Sequence, residues 1–309
     1  MNAPDSHRLV GASVERKEDY RFLTGNGQYT DDIVLPQQTY AVFLRSPYAH
    51  ARIKRIDTTA AKQSPGVVAI FTGADMAADN VGGLPCGWLI HSTDGKPMNE
   101  PPHPIIAHTK VRHVGDQVAL VIADSINAAK DAAELIDVDY DVLPAVVDTA
   151  HAADPGQPAV HDDVPDNVCY NWGHGDKAAT DAAFAKAAHV TTLDIVNNRL
   201  IPNAIEPRAV NASYSAQDDG YTLYVANQNP HVERLLMAAF VLSLPESKLR
   251  VIAPDVGGGF GSKIFLYAED VALTWASKKI RRPVKWTAER SEAFVSDAHG
   301  RDHVTRAEM

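Results

Sequence analysis

Three groups of residues in this sequence have the types and spacing for chemistry. The densest is Asp255 to Lys263, DVGGGFGSK, with glycine at 257, 258, 259 and 261 and one aromatic, Phe260, among them. Glycine lacks the Cβ that would keep a ligand off the backbone, so such a loop offers peptide N–H groups to a phosphate or another anion. The second group is Asn227-Gln228-Asn229-Pro230, where Gln228 stands at the mouth of a strand-to-helix junction. A neutral amide there can donate a hydrogen bond without adding charge, and by position alone it reads equally well as a turn residue. The third is Glu206-Pro207-Arg208, whose carboxylate and guanidinium are either held near a site or form a structural ion pair.

Two familiar phosphate loops fail on the glycine stretch. A Walker A loop needs GxxxxGK[ST], but Gly257 meets Ser262 five residues on, and Lys263 is followed by Ile264. The dinucleotide fingerprint GxGxxG fits Gly257 and Gly259, then requires glycine where Ser262 stands. A tight turn without a ligand is the plain alternative. Glycine at four of the five positions from 257 to 261 favours an anion or cofactor site. The 13 histidines show no metal spacing, and no metal ligand is expected from this chain. His299 and His303 are four apart with nothing to place them on one helix, and Ser262 has no nucleophile-elbow context.

The surrounding pattern predicts the elements that must position these residues. Leu249 to Ala253 is a short apolar run closed by Pro254, and reads as a strand. From Ser262 the apolar positions Ile264, Tyr267, Ala268, Val271, Ala272 and Trp275 recur at three and four, which predicts a helix directly after the loop. Its N-terminus would add partial positive charge to the loop. Arg281, Arg282 and Pro283 end it, and Val284 to Thr287 reads as a strand. Tyr221 to Ala226 is another strand, and Asn229 as N-cap with Pro230 at the first position starts a helix to about Leu242. If the strands before the two junctions are parallel neighbours, both junctions lie at one edge of the sheet, where open α/β layers bind ligands.

The fold class that follows is α+β. Residues 1–14 read as a lead-in and 15–147 as a first α+β domain. Its strands are Thr39 to Leu44, Val67 to Phe71, Val118 to Ala123 and Ile136 to Tyr140, with a helix from Ser125 to Leu135. Residues 148–167, proline-rich and poor in large apolar side chains, read as a linker, with few contacts expected across it. A second domain covers 168–309, with a helix over Thr180 to Ala188 and a strand over Val190 to Val196. At 309 residues, 45% hydrophobic and 22% charged, the chain has the make-up of a soluble globular protein with two cores. A net charge of -10 without long basic runs argues against nucleic acid as the main partner. Two cysteines, Cys86 and Cys169, are too few for an iron–sulfur cluster or a structural zinc site, and suggest a reducing compartment. No stretch has signal-peptide or membrane-span character, so a cytoplasmic location is expected.

Taken together, these stretches resemble the large, molybdenum-carrying subunit of the xanthine oxidase family, especially its aerobic carbon monoxide dehydrogenase-like branch. RFLTGNGQYTDDI, LRSPYAHARI, GVVAIFTGADM, VRHVGDQVALVIADS and DYDVLPAVVD resemble the family's N-terminal α/β-hammerhead domain. NNRLIPNAIEPRAV, NQNPH, VGGGFGSK and RRPVKWTAERSE are similar to the start of its molybdopterin-binding domain. The resemblance implies that Gly257, Gly258, Gly259, Phe260 and Gly261 wrap a molybdopterin cofactor, in bacteria usually the cytosine dinucleotide form. It also implies that Gln228 hydrogen-bonds at the molybdenum as the catalytic residue of this chain.

The family reaction is hydroxylation of an aldehyde or N-heterocycle with oxygen from water, with carbon monoxide oxidation as a variant. Electrons would pass to iron–sulfur and FAD groups on partner chains, an iron–sulfur subunit and a flavin subunit. Two departures matter. Purine-oxidising members carry glutamate after the loop lysine, where this chain has Ile264, which speaks against xanthine. Family large subunits are more than twice as long, with the catalytic glutamate near their far end. The chain to Met309 is therefore expected to be inactive alone, with a separate chain or continued frame supplying the remainder. Two alternatives stay open: a truncated or split scaffold without catalysis, and a nucleotide-phosphate-binding α/β enzyme.

Overall fold

The computed structural model describes residues 10–309; residues 1–9 of the expected lead-in lie outside the described residues. The first part supplies α1 (Asp19–Leu23), β1 (Thr39–Arg45), β2 (Ala51–Asp57), α2 (Thr59–Lys62), β3 (Val67–Thr72) and α3 (Gly73–Ala78). After a long loop come β4 (Lys110–Val111), β5 (Gln117–Ala123), α4 (Ile126–Glu134) and β6 (Asp137–Val142). β5, QVALVIA, is buried at every residue because it lies between two other strands under cover on both faces. Ser125 caps α4 as its sequence predicts, its hydroxyl accepting from the Ala128 N–H. β2, ARIKRID, was not legible as a strand; it pairs with β4 and β6 in a small separate sheet.

The rest of the chain gives α5 (Lys177–Phe184), β7 (Thr192–Asn197), β8 (Ala209–Ser215), β9 (Gly220–Val225) and α6 (Pro230–Leu235). It continues with β10 (Leu249–Ile252), α7 (Ala268–Ile280), β11 (Val284–Thr287), α8 (Arg290–Ser296) and β12 (His303–Glu308). β7 and β12 form an antiparallel ribbon exposed along its whole length. α6 runs into a stretch of wider π-type turns, Leu236–Val241, so the helix expected to about Leu242 is present but not uniformly α.

One mixed, seven-stranded sheet, in the order β10-β9-β8-β11-β1-β5-β3, forms the frame. It corrects the expectation of few contacts across 148–167. β1 from the first part pairs in parallel with β11 from the second, Thr39 opposite Val284. One apolar core is likewise shared: Phe43, Leu120 and Ile122 pack with Val210, Leu223, Trp275 and Trp286. Phe43 meets Trp286 edge-on, ring centres 5.8 Å apart and planes at 88°, a geometry that contributes about 0.5–1.5 kcal/mol beyond area burial. The linker is also more ordered than its composition suggests. Asn167 Nδ2 donates to Ala152 O at 2.9 Å and to Pro158 O at 3.0 Å, and its Oδ1 accepts from Val160 N at 2.9 Å.

β9 and β10 are parallel neighbours, Tyr221 opposite Leu249. The turns that leave them, at Asn227–Pro230 and Asp255–Gly261, therefore emerge at the same edge of the sheet.

Candidate functional site

At that edge the two turns interlock. Gln228 N donates to Lys263 O at 2.7 Å, and Gln228 Oε1 accepts from Gly261 N at 3.0 Å. Because Gly261 N–H can only donate, the amide oxygen must face the loop, and Gln228 Nε2 points its two donors elsewhere. The loop lies so close over this side chain that a Cβ on Gly259 would sit 2.3 Å from Gln228 Cδ and Oε1. Gly259 does not have left-handed φ; contact with Gln228 is what requires glycine there. Gly258 and Gly261 are left-handed, at φ 101° and 92°, and between them Phe260 takes φ 51°. A bulky residue in that region is strained and is held only where its surroundings over-determine it.

Glu206 anchors the other side. Its Oε2 accepts from Gly257 N at 2.7 Å and from Lys263 Nζ at 2.9 Å, and its carbonyl accepts from the same Nζ at 2.8 Å. Lys263 is almost wholly buried, and burial lowers its pKa although Glu206 partly offsets the shift. The Asp255 carboxylate pins the entrance, paired with Arg21 through both guanidinium NH groups and accepting from Gln28 N at 2.7 Å. With Gly257 and Gly261 N–H engaged, the N–H groups of Gly258, Gly259 and Phe260 make no hydrogen bond among the described residues. Three peptide donors, a free amide and no room for side chains form a cradle whose chemistry suits an anionic, oxygen-rich group. Phe260, Ile264 and Phe265 stand exposed beside it as an apolar rim.

The helix expected directly after the loop starts later. Ser262–Ile264 is a single 3₁₀ turn, and α7 begins only at Ala268. Its first turn already carries Glu269 and Asp270, and Asp270 Oδ2 accepts from Tyr267 N at 2.9 Å. The helix dipole is therefore met by the helix's own carboxylates, and the cradle relies on peptide N–H groups alone. Ile264, counted by periodicity toward the helix, lies in the connection with Phe265, and both are exposed.

Glu206 and Arg208 do not pair with each other. Arg208 is buried behind the site, its NH1 donating to Glu269 Oε2 at 2.8 Å and its Nε to Asp297 Oδ1 at 2.6 Å. Its guanidinium carbon lies 3.7 Å from the Tyr267 ring centre. Glu269 also accepts from Arg45 NH2 at 2.6 Å and Gln117 Nε2 at 2.9 Å. Burial pushes the Glu269 carboxyl up, but Arg208 and Arg45 outweigh it and hold its pKa well below the usual range. Burial also raises the Tyr267 hydroxyl to about 12, so it stays protonated and donates to Ser262 O at 2.6 Å. This network ties α7, α8 and the first part to the back of the cradle.

A cavity of about 830 Å³ opens on the flank of the loop, lined by Phe265–Ala268 and Phe294–His299. Neither Gln228 nor any loop glycine lines it. His299 Nδ1 accepts from Arg199 Nε at 2.8 Å, and His303 lies on exposed β12. Among the described residues no three or more His, Cys, Asp or Glu side chains gather as a metal site. The Glu206–Lys263 and Arg21–Asp255 contacts were not predictable from spacing, because each joins residues from distant parts of the sequence.

Residues 160–309 match the family described as molybdopterin cofactor-binding domain. Residues 24–144 match the aldehyde oxidase and xanthine dehydrogenase a/b hammerhead domain. The chain is 36% identical to the carbon monoxide dehydrogenase large chain of Afipia carboxidovorans, over 100% of this chain and 38% of that protein. It is 35% identical to the nicotine 6-hydroxylase large subunit of Paenarthrobacter nicotinovorans, over 97% of this chain and 36% of that one. Among solved structures, quinoline 2-oxidoreductase from Pseudomonas putida 86 superposes with a TM-score of 0.87 at 34% identity, covering 96% of this chain and 37% of its own. The chain thus spans well under half the length of the relatives it matches.

Proposed function

The chain belongs to the molybdopterin-binding aldehyde oxidase and xanthine dehydrogenase family, and from that premise we propose that it cradles the molybdenum cofactor of a hydroxylase large subunit. The observation that carries this reading is the interlock of Gln228 with the glycine loop. Gly257, Gly258, Gly259, Phe260 and Gly261 would receive a molybdopterin, in its cytosine dinucleotide form, on their peptide N–H groups. When bound, that group supplies two-electron oxidation with oxygen drawn from water. Gln228 has the catalytic role. Its Oε1 is held by Gly261 N–H, which fixes the amide plane and aims Nε2 at the bound group without adding charge. Lys263 and Glu206 hold the loop from beneath, and Asp255 with Arg21 hold its entrance. Phe260, Ile264 and Phe265 present an apolar face to the substrate.

The substrate class is an aldehyde, an N-heterocycle or carbon monoxide. Ile264 supports this over purines, because its side chain cannot accept a proton or pair with a ring nitrogen. Electrons leave to an iron–sulfur subunit and a flavin subunit, since Cys86 and Cys169 are too few to hold a cluster of four thiolates. No helix among the described residues is long and apolar enough to cross a membrane. The two free cysteines support a reducing compartment, the cytoplasm.

The test is molybdenum and cytidine monophosphate content of the protein isolated with its partners, beside the Gln228→Ala variant. A hydrogen bond to a charged group is worth about 1.5–3 kcal/mol, so activity should fall tenfold or more with molybdenum retained. Absence of both molybdenum and cytidine from the natural assembly, or an undiminished rate at full occupancy, defeats the proposal.

A further inference from the structure

A second cavity, about 570 Å³, lies beneath the segment that joins the two parts, and no residue of the glycine loop lines it. Its volume is that of a small-molecule site, about 300–1,000 Å³. The roof is the folded linker held by Asn167. Val146, Val147, Val160 and Val164 give it apolar surface, and His50 and Arg112 reach in from the small sheet.

Two polar atoms in this wall are buried without a partner, His50 Nε2 and Arg112 Nε. His50 is only 5% exposed. Its Nδ1 lies 2.8 Å from Pro144 O, and a carbonyl can only accept, so Nδ1 carries a proton, and in the neutral ring Nε2 is the acceptor. Arg112 makes no ion pair among the described residues; Asp116 takes its backbone N–H instead, at 2.9 Å. Two other formal charges line the cavity, Arg199 and Asp148. Arg199 donates to His299, and Asp148 accepts from Ala150 N at 3.0 Å. Of the other histidines here, burial and then the Arg112 charge hold His161 below its usual pKa, and His113 Nε2 lies 3.8 Å from Asp116. A cation without a direct ion pair among the described residues, an imidazole nitrogen without a partner and an apolar lining remain, in a chain whose net charge is -10.

We propose that this cavity binds a small organic monoanion whose apolar ring also carries a hydroxyl or N–H donor, the anion on Arg112 and the donor on His50 Nε2. The requirement is for both groups at once. A simple inorganic anion would leave the valine surface and His50 unserved. A neutral ring would leave Arg112 unpaired. This site is independent of the cofactor reading.

The protein with its natural partners is titrated calorimetrically with 4-hydroxybenzoate, benzoate and phenol. 4-Hydroxybenzoate should bind saturably and at least tenfold more tightly than either of the others. Arg112→Gln should bring it to the level of phenol, and His50→Phe to the level of benzoate. Binding should persist in Gln228→Ala, which alters the other site. No saturable binding, equal affinity for the three probes, or loss of binding in Gln228→Ala overturns the proposal. The three-probe comparison on the unaltered protein decides the matter even if a variant fails to fold.

Discussion

Replacing Gly259 by alanine tests the interlock directly. The added Cβ would lie 2.3 Å from Gln228 Cδ and Oε1 and 2.6 Å from Cγ, where ordinary contact begins at 3.4 Å. An overlap above an ångström cannot be absorbed by small shifts, so Gln228 must swing out and release Gly261 N–H. Overpacking of this kind costs about 1–3 kcal/mol, and the hydrogen bond adds about 0.5–1.5 kcal/mol. Gly259 is outside the left-handed region, so alanine also gains about 0.4–1 kcal/mol from a less flexible unfolded chain. The net expectation is a loss of about 1–3 kcal/mol, read as a lower urea midpoint at unchanged slope. Gln228→Ala removes all three clashing atoms. In that background Gly259→Ala should be neutral or slightly stabilising, so the two substitutions are strongly non-additive. Additive penalties would refute the reasoning, because some neighbour other than Gln228 would then be filling the space.

Three further outcomes follow from the network around the cradle. Arg208→Met leaves Glu269 with only Arg45 as cationic partner and Asp297 without Arg208; breaking a buried pair costs about 3–5 kcal/mol, and a loss under about 1 kcal/mol by urea denaturation would show the network to be dispensable. Arg21→Met should leave global stability little changed, since the arginine is partly exposed, yet speed hydrogen exchange at Gly257 to Gly261; unchanged exchange there would remove Arg21 from loop positioning. Glu233 is fully buried with both carboxylate oxygens unpartnered, and burial, then the charge of Asp270, raises its pKa well above 4.5. A raised folded-state pKa gives stability that is whole below the unfolded value and lost as pH rises through the folded one. With Asp270 itself raised to about 7 by burial, Glu233→Gln should flatten the fall in urea midpoint between pH 5 and 8.5. Parallel pH profiles for the two proteins would place the alkaline loss elsewhere.

Much of the frame could be read from local pattern. The β5 run, the Ser125 cap of α4, and Pro230 at the first position of α6 are signals carried within a few residues. Parallel pairing of β9 and β10, posed as a condition from the strand–turn–helix order, is met. What escaped depends on partners remote in sequence. β8, AVNASYS, looks polar, but its Asn211 is buried because Nδ2 donates to Ile33 O at 3.0 Å and Gln38 Oε1 at 2.8 Å. β2 hides among charges that pair across the small sheet, Arg55 with Asp137 and Lys54 with Asp139. The glycine loop was legible as a turn open to close approach, but not the reason for Gly259, which lies in the side chain of a residue on another turn. The late start of α7 was missed because Ile264 keeps helical spacing with Tyr267 and Ala268 while facing outward.

The β1–β11 pairing sets a timetable for synthesis. Thr39 hydrogen-bonds to Pro283 across 244 residues of sequence. At about 5–20 residues per second, roughly 12–50 s pass between the emergence of one strand and the arrival of the other. Once Gln117–Ala123 has followed, the strand Thr39–Arg45 has β5 on one side and, until β11 arrives, an open backbone edge on the other. An open edge beside apolar side chains is a template for pairing with another chain. The nascent protein therefore passes through a stage at which protection from its neighbours on the polysome matters more than its final stability.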